Sequence, residues 1–194
     1  MTKGTVLSVT FCVKKNRPLC HKTEECMYAY CLFCRTQRCA RIARLMEIRG
    51  VEKAFSPTIL SRQRVEGQNL TRQRDLLPGY VFLFHGEKLI GWDMFAGIDG
   101  IIRRVGRSEQ GYELEGADLE FALGLYEKNG QVGAMKLVKV GETVRLEDPL
   151  FEGSSGLVTK IDYRKERARV DFRFEGNDCH TWVAIEDVRK AGRD

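Results

Sequence analysis

Nowhere in this 194-residue chain do about 18 apolar residues run together, so no membrane-crossing helix and no membrane partner is expected. An export signal is missing as well. The short apolar patch Val6 to Val13 lacks a strong basic start and a small-residue cleavage site. Histidine is scarce, and His85 and His180 stand isolated. No Ser-His-Asp set, phosphate-cradling glycine loop or paired acid occurs in usable context, so neither an enzyme nor a cofactor is expected. Cysteine is not scarce. The seven sit at 12, 20, 26, 31, 34, 39 and 179, an odd and clustered set that without a secretion signal reads as reduced thiols in a cytoplasm. A metal site is not expected either. Cys12, Cys20, His21 and Cys26 fit no standard zinc spacing, and Cys31 and Cys34, three apart in a strand, point to opposite faces.

What the chain does have is core-forming capacity, with 43% hydrophobic residues, and enough charge, 30%, to be soluble. The net +5 is unevenly placed. Residues 35–74 hold ten Lys and Arg against three Glu, a local +7 that exceeds the whole excess, and most of those cations are arginine. Arginine presents a planar fork that suits phosphates and stacks on bases, which gives weight to a nucleic-acid role.

Residues 1–27 read as a polar, irregular leader. Residues 28–34, Tyr-Ala-Tyr-Cys-Leu-Phe-Cys, suit a buried strand. Thr36 is placed to cap a helix with Cys39, Ile42, Ala43 and Met46 on its apolar side, Arg38, Arg41 and Arg44 on the other, and Gly50 as its stop. An extended stretch from Val51 to Ser61, broken at Pro57, leads to a hairpin tip near Glu66-Gly67 flanked by Arg62, Arg64, Arg72 and Arg74. Leu76 to Phe84 reads as an apolar strand entered through the Pro78-Gly79 turn. A short helix over 89–96, a strand near Ile101 to Val105 and an amphipathic helix over Ala117 to Lys128 with Leu119, Leu123 and Tyr126 on one side follow. Residues 131–136 show no obvious core and read as a linker. Beyond Lys136, short strands at tight spacing, 142–146, 155–162, 168–174 and 181–184, predict a small all-β barrel.

Two sets of motifs carry a resemblance. Val140-Gly141-Glu142-Thr143-Val144-Arg145, then Phe151-Glu152-Gly153, then Gly156 to Asp162 with alternating Leu157, Thr159 and Ile161 against Val158 and Lys160, and the basic return Arg167 to Val170, resemble a KOW motif whose marker positions are Gly141, Phe151, Gly153, Gly156, Ile161 and Asp162. Tyr30 to Thr36 and Leu77 to Phe82 resemble the first and third strands of a NusG N-terminal domain, with Ala29 where an aromatic is usual and Leu77 in place of Phe. The chain therefore resembles the NusG family from about Tyr28 to Lys190.

The resemblance implies an α+β chain: residues 28–130 as a NusG-type α/β domain with an antiparallel sheet flanked by helices, and 137–192 as a KOW barrel. It implies a non-enzymatic, cytoplasmic, monomeric transcription factor that binds the clamp helices of RNA polymerase through an exposed patch of Tyr30, Leu77, Pro78, Gly79 and Tyr80. Size and the Phe33-Cys34-Arg35-Thr36 strand end are similar to the LoaP-like antiterminators, which recognise an RNA hairpin. Under that reading Arg35, Arg38, Arg41, Arg62, Arg64, Arg72, Arg74, Arg103 and Arg104 would contact an RNA hairpin or upstream or non-template DNA, and the KOW barrel would recruit a further factor. A housekeeping NusG-type elongation factor and a ribosomal-type KOW RNA-binding protein are the alternatives.

Overall fold

The computed structural model describes residues 27–89, 93–107, 111–140, 143–151 and 156–186. The leader, with its cysteine–histidine set, and the marker glycines Gly141 and Gly153 lie outside the described residues. The architecture is α+β. Strands β1 (Tyr28–Cys34), β2 (Lys53–Phe55), β5 (Tyr80–His85) and β6 (Ile101–Arg104) form an antiparallel sheet in the order β2-β5-β1-β6. Strand alternation gives it two apolar faces. Tyr30, Leu32, Cys34, Val81 and Leu83 pack with Cys39, Ile42, Ala43 and Met46 of helix α1 (Cys39–Ile48). Ala29, Cys31, Phe82 and Phe84 pack on the other side, with Phe121, Ala122 and Leu125 of helix α2 (Gly116–Glu127).

The apolar spacing of α1 is the one expected, but Thr36 is not its cap. Thr36–Arg38 forms a 3₁₀ turn, so the α-helix begins at Cys39 with Arg38 at the cap position and no side chain bonding the first turn. In α2 the deeply buried side chains are Phe121, Ala122 and Leu125, while Leu119 and Tyr126 pack partly buried against the same core. The helix is covered from two directions, by the sheet and by C-terminal residues, so a one-sided stripe describes it poorly. The helix expected over 89–96 falls partly on residues outside the description; Asp93–Phe95 is a 3₁₀ turn.

Strands β3 (Thr58–Val65) and β4 (Gln68–Asp75) make a long hairpin around Glu66 and Gly67, both at positive φ. Residues 131–136 are not a bare linker. Gln131–Val132 is strand β7, parallel to β3, and Val132 and Met135 are buried. Met135 donates its N–H to the Ala184 carbonyl at 2.9 Å and accepts from Glu186 N–H at 2.8 Å, which stitches the connection to the last strand.

The C-terminal β module holds β8 (Leu137–Val140) with β9 (Thr143–Leu146), and a sheet of β10 (Leu157–Asp162), β11 (Arg167–Phe174) and β12 (Asn177–Ala184). Gly156 donates its N–H to the Phe151 carbonyl at 2.7 Å, and a Cβ there would lie 2.5 Å from the Phe151 side chain, so a glycine is required by crowding. The expected alternation of β10 breaks. The register slips between Val158 and Lys160, so Val158 and Ile161 both turn to the core while Leu157 is 65% exposed. One extra residue in a strand reverses the facing of everything beyond it.

Candidate partner-binding face and arginine surfaces

Leu77, Pro78, Gly79 and Tyr80 form a tight turn in which Tyr80 N–H donates to the Leu77 carbonyl at 3.1 Å. Proline leads, and Gly79 follows at φ +90°, the backbone that the third position of such a turn demands. A Cβ on Gly79 would meet the Cys34 carbonyl and the Phe33 ring, each at 3.0 Å. The turn therefore seats Tyr80 directly beside the end of β1. Pro78 is exposed, Leu77 and Gly79 are buried, and Tyr80 is half-buried.

Tyr30 does not join this group. It lies on the α1 side of the sheet, is 5% exposed, and its hydroxyl accepts the Leu89 N–H at 2.9 Å. Burial raises its pKa. The patch of exposed aromatics expected from the sequence is thus corrected in two respects. Adjacent residues of a strand point to opposite faces, so Tyr30 is separated from Tyr80, and Leu77 is core.

Tyr80 faces an aromatic cluster that extends into the C-terminal module. Its ring lies 5.1 Å from Phe33 and 5.5 Å, edge-on, from Phe174. Phe174 also contacts Phe82 at 5.4 Å and Phe121 at 5.7 Å, and Phe172 stacks on Phe121 at 5.5 Å. Offset and edge-on geometries of this kind add to the area they bury. Charged pairs ring the cluster. Arg103 donates two bonds to the Glu175 carboxylate, at 2.7 and 2.9 Å. The Glu175 N–H donates to Asp118 of α2 at 3.0 Å, Arg62 of β3 pairs with Glu166, and Lys128 pairs with Asp148 at 3.0 Å. Burial, then the neighbouring Glu175 carboxylate, raises the Tyr80 pKa; the bond to Glu175 raises that of Arg103. Burial raises Asp118. None of Phe121, Phe172, Phe174, Glu166 or Glu175 stood out in the sequence as belonging to this face. Phe172 and Phe174 alternate like any inward positions of a small β fold, and nothing local records that their neighbours come from another part of the chain.

The expected arginines fall into separate groups. Arg35 and Arg38 approach Asp99 at 3.9 and 3.4 Å, and Arg41 and Arg44 lie exposed along α1. In the hairpin, Ser61 faces Arg72 and Ile59 faces Arg74 across the ladder, while Arg62 faces Thr71. Arg72 and Arg74 therefore lie on one side and Arg62 and Arg64 on the other. Arg74 donates to Gln63 at 3.2 Å. Arg103 is tied to Glu175, and Arg104 stacks on Tyr112 at 3.9 Å. One continuous basic patch is not what the fold builds.

The buried thiols follow the strand alternation, Cys31 on the aromatic face and Cys34 on the α1 face. Burial drives Cys31 well above the ordinary thiol range, and Cys34, through burial and then Cys39, up to about 12. Among the described residues no three His, Cys, Asp or Glu gather to hold a metal ion, and no helix is long and apolar enough to cross a membrane.

No family model matches the chain. Curated proteins do. It is 26% identical over 134 residues to the transcription termination/antitermination protein NusG of Borreliella burgdorferi, spanning 64% of this chain and 72% of that protein. NusG of Buchnera aphidicola subsp. Baizongia pistaciae is 22% identical over 151 residues, 75% of this chain and 83% of that one. NusG of Escherichia coli K12 is 22% identical over 152 residues, 75% and 84%. A solved structure described as domain interaction in Thermotoga maritima NusG superposes with a TM-score of 0.48 at 14% identity, covering 82% of this chain and 94% of that one.

Proposed function

We propose that this chain, a distant relative of the NusG transcription termination/antitermination proteins, engages RNA polymerase during elongation and promotes processive antitermination on particular operons. The observation that carries the reading is the Leu77-Pro78-Gly79-Tyr80 turn, which seats a half-buried tyrosine at the rim of an aromatic face. An aromatic side chain fixed by a rigid turn anchors a partner helix at little entropic cost. The clamp helices of polymerase are the proposed occupant, and the C-terminal module, which lies over the same face through Phe172 and Phe174, must move for them to dock. Operon choice comes from RNA or DNA held by the arginine groups on α1 and the β3–β4 hairpin, whose guanidinium forks suit phosphate oxygens. Residues 137–192 act as a KOW domain that, once released, recruits a further factor.

In-vitro transcription through a terminator with purified polymerase tests this. The wild type is expected to give read-through on its own leader, Tyr80→Ala to abolish it, and Arg72→Ala/Arg74→Ala to weaken it on that leader alone. Equal read-through on unrelated leaders would instead mark a general elongation factor. No effect on any leader from its own genome would end the antitermination reading.

A further inference from the structure

We infer that the outer face of the β10-β11-β12 sheet, the side turned away from Phe172 and Phe174, is a platform for single-stranded RNA. It is a surface separate from the arginine groups on α1 and the β3–β4 hairpin. The inference goes beyond the proposed polymerase function and depends neither on Tyr80 nor on any movement of the C-terminal module.

Strand alternation and register build this face. In β11, Ala168, Val170, Phe172 and Phe174 are buried, so Arg167, Arg169, Asp171 and Arg173 point the other way. Residues paired across an antiparallel ladder share a side, which extends the face over three strands. Arg169 lies between Lys160 and Trp182, Asp171 lies between Leu157 and His180, and Asp178 is opposite Arg173. The Tyr163–Lys165 turn adds Arg164, Lys165 and a 60% exposed Tyr163 at one end, while Glu166 of that turn is engaged by Arg62. Six cations, Lys160, Arg164, Lys165, Arg167, Arg169 and Arg173, thus stand with three carboxylates, Asp162, Asp171 and Asp178. Residues 137–186 as a whole hold eight Lys and Arg against ten Asp and Glu, so the excess here comes from placement, not composition.

The carboxylates fix these cations in place. Asp171 accepts from Arg169 Nε at 2.9 Å, and Asp178 accepts from Arg173 Nε at 2.8 Å. Among the described residues these two arginines make no other side-chain bond, which leaves the terminal amines of each fork for phosphate oxygens. Arg167 lies over the Trp182 ring, 4.2 Å from its centroid, and a guanidinium backed by a ring is a flat surface for an unpaired base. His180 offers a second, exposed ring about 7 Å further along β12, two residues at the strand rise. Beside it, a groove of 420 Å³ between Leu157 and Arg173 falls in the range of small-ligand sites. Stacking groups on an open sheet reach only unpaired bases, which selects a single strand over a duplex. Asp171 and Asp178 each have lone pairs to spare, and the ribose 2′-hydroxyl is a donor that DNA lacks. That combination selects RNA.

The test uses the full chain, a short unstructured RNA and the DNA of the same sequence, with binding followed by fluorescence anisotropy. Arg169→Gln/Arg173→Gln is expected to weaken RNA binding at least about tenfold, the loss of two charged hydrogen bonds. It should also flatten the slope of log affinity against log salt by about 1.4, two phosphates at about 0.7 each. Trp182→Phe, which keeps a flat ring, is expected to bind as the wild type does, and Trp182→Leu about tenfold more weakly. Photo-crosslinks from thiouridine-substituted RNA are expected in β10, β11 and β12, and to persist in Arg72→Ala/Arg74→Ala. Unchanged affinity in the glutamine pair, crosslinks confined to α1 and the β3–β4 hairpin, equal affinity for the DNA, or no RNA binding at all would each overturn the inference. None of these outcomes bears on read-through at Tyr80, so the proposed function stands or falls separately.

Discussion

The two faces of the β2-β5-β1-β6 sheet are closed in different ways. The α1 face is sealed by a helix that starts five residues after β1 ends, through aliphatic and sulfur side chains such as Ile42, Met46 and Leu32, with the Arg38–Asp99 pair at 3.4 Å beside the helix start. The opposite face is sealed largely by aromatic rings, several of them more than forty residues away in the C-terminal module, and the Arg103–Glu175 pair ties its β6 edge to the β11–β12 turn. The first is an ordinary core, local in sequence. The second has the composition of an interface, with flat rings at the centre and charges at the edge. One sheet thus meets a neighbouring helix on one side and, on the other, rings from a distant part of the chain.

The largest effect is expected where the local core is cut. Met46→Ala, at a fully buried position, should lower global stability by about 3 kcal/mol, with all probes of urea unfolding moving together. Tyr80→Ala on the covered face removes a half-buried ring and should cost less, about 2 kcal/mol. Its loss should fall mainly on the C-terminal module, read as faster hydrogen exchange in β11 and unchanged exchange in α1. Equal loosening of α1 would erase the distinction between the faces. Gly79→Ala, at the turn where a Cβ meets Cys34 and Phe33, should cost at least about 1 kcal/mol and shift Tyr80 from its seat.

The smallest and most discriminating effect concerns the two thiols. Cys31 on the covered face should gain reactivity toward a thiol reagent in Tyr80→Ala, by peptide mapping at pH 8, whereas Cys34 should remain inert in both proteins. With its folded pKa near 12 against an ordinary 9, the Cys34 thiol binds more protons folded than unfolded across that interval. Its stabilising contribution is therefore full below pH 9 and is lost as pH rises toward 12, a dependence that Cys34→Ala should remove.

Much of the fold was legible before any coordinates. The period-2 run Tyr28 to Cys34, the i, i+3, i+4, i+7 spacing from Cys39 to Met46, and the turn residues at Gly50, Glu66-Gly67 and Pro78-Gly79 are local signals, and each element lies within a few residues of its expected place. The shortfalls arise where a neighbour distant in sequence decides. Residues 131–136 look featureless, yet β3 and the last strand give Val132 and Met135 a core to enter. The bulge in β10 depends on its partner strand, so the alternation of Leu157 to Ile161 could not reveal which side is inward. For the candidate site, Pro78, Gly79 and Tyr80 were placed by their own turn chemistry. Tyr30 was assigned to the wrong face, and the arginines were grouped by sequence proximity although the hairpin ladder splits them.

By itself the sequence determined the elements, the tight turn that holds Tyr80 and the concentration of arginine in residues 35–74, because backbone propensity, side-chain period and composition act over a few residues. Only the tertiary structure decided that Phe172 and Phe174 lie over Tyr80 and Phe121, and that Arg62 and Arg103 already hold carboxylates. The two ion pairs join residues 72 and 104 positions apart along the chain. Whether a ring is core, cover or open surface is set by what packs against it, and over such separations the packing belongs to the fold and not to any local stretch of sequence.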